Sequence, residues 1–230
     1  MFTNRVFRKT VLQTVTDPEV LKFWNEEFPK MNYKTAFDGV APIANKLGAF
    51  MSHPVVKKAL CEPEQPLRFR TMMDEGTPLI VNLSKGRLGS DISSVLGGLI
   101  LSMLTSAAFT RGNIPEPQRR PYIIYVDEFA SMTTGTIAGM LSELRKYRVG
   151  LVLAAQYTSA IKDRILDAIF GNVGTIMVFR IGAKDAPVMA QQLGEVNPRD
   201  LINLPNYRLF IKLMIRGVQS KAFTARTFKD

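Results

Sequence analysis

The rhythm of apolar and polar positions changes at Gly76. Before it the spacing is helical or irregular. Asp17-Pro18-Glu19 predicts a helix start, with Asp as N-cap and Pro in the first turn. Val20, Leu21, Phe23, Trp24 and Phe28 then form an apolar stripe, and Pro29 stops it. A second helix is expected over Gly39–Met51, ended by His53-Pro54, and a short third over Val55–Leu60. Pro63 and Pro66 mark a loop. No run alternates convincingly, so residues 1–75 are expected to form a small helical lobe.

After Gly76, short apolar runs alternate with helical stretches. Buried strands are predicted at Thr77–Leu83, Tyr122–Val126, Leu151–Ala155 and Thr175–Arg180. Helices are predicted between them, at about Ser90–Arg111, Thr134–Tyr147 and 158–170, and then over Ala183–Leu193. Arg208–Ile215 and Lys221–Arg226, joined at Arg216-Gly217, read as a β-hairpin. Residues 76–230 are thus expected to be an α/β unit, a mainly parallel sheet flanked by helices. Ile92–Phe109 runs eighteen residues without a charge. Its serines and Gly97-Gly98 favour a buried core helix over a membrane span.

Composition sharpens this picture. The 230 residues are 46% hydrophobic and 22% charged, enough for a packed core. One Cys, Cys61, excludes an intrachain disulfide, and one His, His53, excludes a closed Cys/His zinc site. This composition suits a reducing, cytoplasmic compartment, and Met1-Phe-Thr-Asn-Arg lacks the apolar run of a signal peptide. The net charge is +10, with +2 in residues 1–75 and +8 in residues 76–230. A basic second part suits a polyanion such as nucleic acid or an anionic membrane surface. A basic domain with no such partner is the plainer alternative.

The sharpest chemistry is Ile123-Ile124-Tyr125-Val126-Asp127-Glu128. Two acids follow an apolar strand, at the edge where open parallel sheets bind ligands. Asp127 there can hold Mg²⁺ through water, and Glu128 can polarise a water attacking a γ-phosphate. This is the Walker B pattern. A polar strand end with no chemistry reads the same way. Gln156, after the next strand, can orient that water or sense the γ-phosphate, or simply cap the strand. Arg180, ending the fourth strand, can serve as an arginine finger or as a surface ion pair. Arg145, Lys146 and Arg148 form a basic cluster suited to a phosphate backbone or to a helix C-terminus; Lys85 and Arg87 form another. A phosphate-binding Gly-x-x-x-x-Gly-Lys-Ser/Thr is absent, and Leu83–Ser90 has glycines in the wrong order.

Taken together, Val81–Gly86, Tyr125–Phe129, Leu141–Arg148, Phe170–Thr175 and Leu204–Tyr207 resemble the C-terminal part of TraG/TraD-type coupling proteins. These are conjugation ATPases of type IV secretion, related to the HerA and FtsK motors. The resemblance implies the C-terminal half of a RecA-like core with a helical insertion. It also implies a homo-oligomeric, usually hexameric ring that hydrolyses ATP with Mg²⁺ and moves DNA towards a membrane channel. Relaxosome and secretion-channel proteins follow as partners, with the inner face of the membrane as location. Asp127 and Glu128 fall on the Walker B positions and Gln156 on the post-strand glutamine. Ala155 stands where relatives often carry His, and Ile176 where FtsK and HerA relatives often carry Arg. The missing Walker A half implies a fragment or one product of a split gene, binding ATP only when complemented. A silent interaction module and a decayed fragment are the alternatives, and half a core should leave a large apolar patch.

Overall fold

The computed structural model describes residues 4–31, 51–61, 64–132 and 135–228, with Ala41 and Gly48. The chain divides into two compact units, 1–66 and 67–230. The helix expected over Gly39–Met51 lies largely outside the described residues.

The first unit is helical where described. Helix α1 (Arg5–Leu12) is capped by Asn4, whose side chain accepts from the Phe7 amide. Helix α2 (Pro18–Lys22) is capped by Asp17, which accepts from the Glu19 and Val20 amides, as its sequence demands. The chain continues through a π-helical turn (Phe23–Glu27) and a 3₁₀ turn (Phe28–Lys30). There Trp24 packs on Phe28 with ring centres 4.9 Å apart. Helix α3 (Pro54–Cys61) buries Val56.

The second unit opens with α4 (Phe69–Glu75), whose Phe69 and Met73 sit in the main core. Gly76 ends that helix at φ +73°, a left-handed cap that glycine adopts without steric cost. Helix α5 (Lys85–Leu88) is one short turn. Helix α6 (Ser90–Thr110) is the central helix: Leu101, Leu104 and Ala108 are buried against the sheet layer. By length and composition Ser90–Asn113 could cross a membrane, yet 44% of its most apolar window is buried inside the unit.

Strand β1 (Tyr122–Val126) pairs in parallel with β2 (Val149–Leu153), with Ile124 opposite Leu151 and Val126 opposite Leu153. Between them lie α7 (Gly135–Glu143) and a 3₁₀ turn (Leu144–Tyr147). Ile124, Val126 and Val149 face the core with Ile137, Met140 and Leu144. After β2 comes α8 (Asp163–Asn172), which adds Ile165 and Ile169 to that core.

A second core gathers around β3 (Ile176–Val178), α9 (Ala186–Leu193) and α10 (Pro198–Ile202). Strand β3 pairs antiparallel with β4 (Arg208–Lys212). The tip β5 (Met214–Ile215) and β6 (Val218–Gln219) turns at Arg216-Gly217, both at positive φ, and β7 (Phe223–Arg226) returns against β4. The hairpin is therefore where its residues place it.

Two expectations are corrected. Thr77–Leu83 is not a strand; it has no ladder pairing, and Ile80 is 94% exposed. Its end is tied instead by the Ser93 hydroxyl donating to the Leu83 carbonyl at 2.6 Å. A single, mainly parallel sheet is also absent among the described residues. The parallel pair β1–β2 is separate from the antiparallel β3–β4–β7. The reason is pairing: an apolar run becomes a strand only where a neighbour offers a backbone edge.

Candidate functional site

The parallel pair builds the site at its C-terminal rim. Past Val126 the ladder continues for one step, with the Ala154 amide donating to the Val126 carbonyl and the Phe129 amide to the Ala154 carbonyl. Between those bonds the chain must turn sharply. Glu128 takes the left-handed conformation, φ +47°, which costs a non-glycine residue about 1 kcal/mol. The turn is held from both sides. Asp127 Oδ1 accepts from the Glu128 amide at 2.9 Å. Ser131 donates to the Glu128 carbonyl from its amide at 3.0 Å and its hydroxyl at 2.9 Å. Phe129 is buried in the core and anchors the following turn (Phe129–Met132).

This conformation aims the Glu128 carboxylate along the rim. Gln156, three residues past β2, donates from Nε2 to Glu128 Oε1 at 3.0 Å. Lys85 Nζ donates to Glu128 Oε2 at 2.6 Å. A cavity of about 210 Å³ opens beside them, lined by Lys85, Glu128, Ser131, Gln156, Tyr157 and Ala160. A larger cleft of about 730 Å³ lies between Leu79–Lys85, α6 and β1, and its lining is mainly apolar.

The structure thus brings Glu128, Gln156 and Lys85 together. Asp127 lies exposed at the same turn. Among the described residues no three His, Cys, Asp or Glu side chains gather as a metal cage. Arg180 is exposed past the end of β3, outside this cluster.

Arg145, Lys146 and Arg148 are exposed on the turn before β2. Lys146 is ion-paired to Glu143 at 2.7 Å. That hydrogen bond, and then the Glu143 charge, raise the Lys146 pKa above its usual 10.5. Arg148 donates to the Pro117 and Arg119 carbonyls, both at 3.3 Å, so only part of this cluster is open to a ligand. Arg87 is exposed on α5.

Sequence reasoning paired Lys85 with nucleic acid and missed its contact with Glu128. Its place was the available signal. Lys85 closely follows an apolar run that ends beside the rim carrying Asp127 and Glu128. Ser131 was missed as well; it lies in the 3₁₀ turn just after the acidic pair.

No family model matches the chain, and no curated protein does. Solved structures do. One is the plasmid coupling protein TrwB in complex with the non-hydrolysable GTP analogue GDPNP, with TM-score 0.65 and 15% identity. It covers 93% of this chain and 55% of that one. The fold is that of TrwB. The same protein in complex with the ATP analogue ADPNP gives TM-score 0.64, and with ADP and Mg²⁺ 0.60, each at 16% identity. These two cover 95% of this chain and 59% of the other. The chain therefore spans rather more than half the length of these TrwB structures, and the match to their fold runs across most of its own length.

Proposed function

We propose that the chain is the Walker B-bearing part of a DNA-translocating ATPase of the coupling type, completed by a separate half that carries the phosphate-binding loop. One observation carries this reading. Glu128 is forced into a strained turn at the end of β1, and there it meets Gln156 from the end of β2. Two parallel strands thereby present a carboxylate and an amide to one rim position, as water activation at a phosphate requires.

Within this reading each residue has a task. Mg²⁺ takes one or two carboxylates, keeps several waters and shares phosphate oxygens. An exposed Asp127 without a surrounding cage suits that donor set. Asp127 would hold the ion through water, and ATP bound with it would supply the transferable phosphoryl group. Glu128 accepts the proton of the attacking water, and Gln156 fixes the orientation of the base. Arg180 acts only across a subunit interface. Arg145 and Lys146, with Arg87, contribute phosphate contacts to DNA, while Arg148 stays tied to the Pro117 and Arg119 carbonyls. The assembly is a hexameric ring at the inner face of the cell membrane. It passes DNA to a type IV secretion or conjugation channel, and relaxosome and channel proteins are its neighbours. Residues 1–75 serve as the helical insertion of such a core.

The silent-module reading has one observation in its favour: the second oxygen of Glu128 is already held by Lys85. A reconstitution separates the two. The full chain is mixed with a co-encoded polypeptide carrying Gly-x-x-x-x-Gly-Lys-Ser/Thr, and Mg²⁺-dependent ATP hydrolysis is measured. The expected result is no turnover by the chain alone and clear turnover by the mixture. Glu128→Gln should then lower that turnover about 10²- to 10⁴-fold. A mixture that stays silent refutes the motor reading, as does turnover by the chain alone that ignores Glu128→Gln.

A further inference from the structure

The Lys85–Glu128 contact does not belong to the hydrolytic arrangement just described. A base that accepts a proton from water needs an accessible lone pair, and each donor already bound to the carboxylate takes one. Here Oε1 receives the Gln156 amide at 3.0 Å and Oε2 the Lys85 ammonium at 2.6 Å. Yet this pair is no buried structural brace. Its side chains are 44% and 42% exposed, and an ion pair so open to water holds weakly. Lys85 stands on a single helical turn beside Arg87, which is itself exposed, and it lines the small cavity that Glu128, Gln156 and Tyr157 share.

We propose that Lys85 is an exchangeable latch: it ion-pairs with Glu128 when no anion is present and moves to a phosphate group when one occupies the small cavity that it lines. The inference rests on the ATPase reading for its meaning, since release of Glu128 would arm the base only when a phosphate is in place. The ligand chemistry is a phosphate oxygen cluster. A phosphate can offer more negative charge and more acceptor oxygens than one carboxylate, so it competes well for an ammonium. A nucleic-acid backbone and a triphosphate both supply that chemistry, and the measurement tells them apart.

The two partners of Lys85 exclude each other, so removing one must strengthen the other. The test is binding by the full-length chain to a labelled single-stranded oligothymidylate, read by fluorescence anisotropy, and to inorganic triphosphate, read by calorimetry. Wild type, Glu128→Gln, Lys85→Met and the double variant are compared at one salt concentration. Glu128→Gln should tighten binding of at least one probe by about three- to five-fold, the scale of an exposed ion pair. Lys85→Met should weaken the same probe, and for DNA should reduce the steepness of its salt dependence by about one phosphate contact. In the Lys85→Met background, Glu128→Gln should have little further effect. If Lys85→Met fails to fold, Lys85→Gln replaces it.

Tightening with oligothymidylate alone assigns the latch to nucleic-acid phosphate. Tightening with triphosphate alone assigns it to a nucleotide. Three results overturn the proposal: unchanged affinity on Glu128→Gln, equal tightening with and without Lys85, or no binding of either probe even in Glu128→Gln. Neither assay needs hydrolysis. Loss of the latch with Glu128-dependent hydrolysis intact would remove this inference alone. A working latch without hydrolysis in the reconstituted mixture would leave a phosphate-binding module and remove the motor.

Discussion

Arg111 shows how much one side chain can hold. It is fully buried, and its guanidinium donates to Asp74 Oδ1 at 3.0 Å, the Tyr147 carbonyl at 2.9 Å and the Arg120 carbonyl at 2.6 Å. It thereby ties α4, the turn before β2 and the approach to β1 to the end of α6. Arg111→Met keeps the bulk but leaves the Asp74 carboxylate and two carbonyls without that donor. The expected cost is about 3–5 kcal/mol of unfolding free energy, measured by urea denaturation. A loss below about 1 kcal/mol would show that the contacts are not formed in solution. Lys146 is the opposite case, an exposed ammonium whose pKa Glu143 raises. Its favourable contribution is complete below the unfolded value near 10.5 and is lost only as pH rises through the higher folded value. Stability near neutral pH should therefore not depend on this pair's titration. Glu143→Gln should bring Lys146 back to about 10.5, read from its side-chain resonances in an NMR titration.

At the scale of elements, Thr77–Leu83 invites a direct comparison with β1. Both are apolar runs bounded by turn residues, yet only β1 is paired. Ile80→Thr should change stability by less than about 0.5 kcal/mol, because the side chain is already in water. Ile124→Ala should cost about 2–5 kcal/mol, because it leaves a hole in the core beneath the rim. Equal costs in chemical denaturation would mean that Ile80 is packed after all. The same contrast explains what was legible in the sequence. Asp17, α6, β1, β2 and the terminal hairpin carry their own signals: a cap, a long uncharged run, apolar segments closed by polar residues, and a positive-φ turn at Arg216-Gly217. The rim site was legible because Asp127-Glu128 and Gln156 each follow an apolar run. Lys85 on Glu128, Arg111 on Asp74 and the separation into two sheets depend on which edges and charges meet across many residues, and local periodicity does not encode that.

The β1–β2 pair leaves one apolar face open. Along β1 and β2 the buried positions alternate with Ile123, Tyr125 and Val152, and the register sets Ile123 opposite Gly150 and Tyr125 opposite Val152. One face of the parallel pair is therefore packed. The other is apolar and open, with Tyr125 72% exposed. Such a face brings water against large side chains and is a place for association. If a phosphate-binding half covers it, two outcomes follow in sequence. The chain alone should enhance the fluorescence of a hydrophobic dye and self-associate as concentration rises, and Tyr125→Lys should reduce both while leaving its circular dichroism unchanged. Addition of the complementary half should suppress dye binding by the wild-type chain, and Tyr125→Lys should weaken that complex by roughly 10-fold or more, as expected where a large aromatic anchor is replaced by a charge. Dye binding that persists in the complex would place the partner elsewhere. Under the ATPase reading, the rim carrying Asp127, Glu128 and Gln156 would then have to meet its nucleotide without the face that lies beside it.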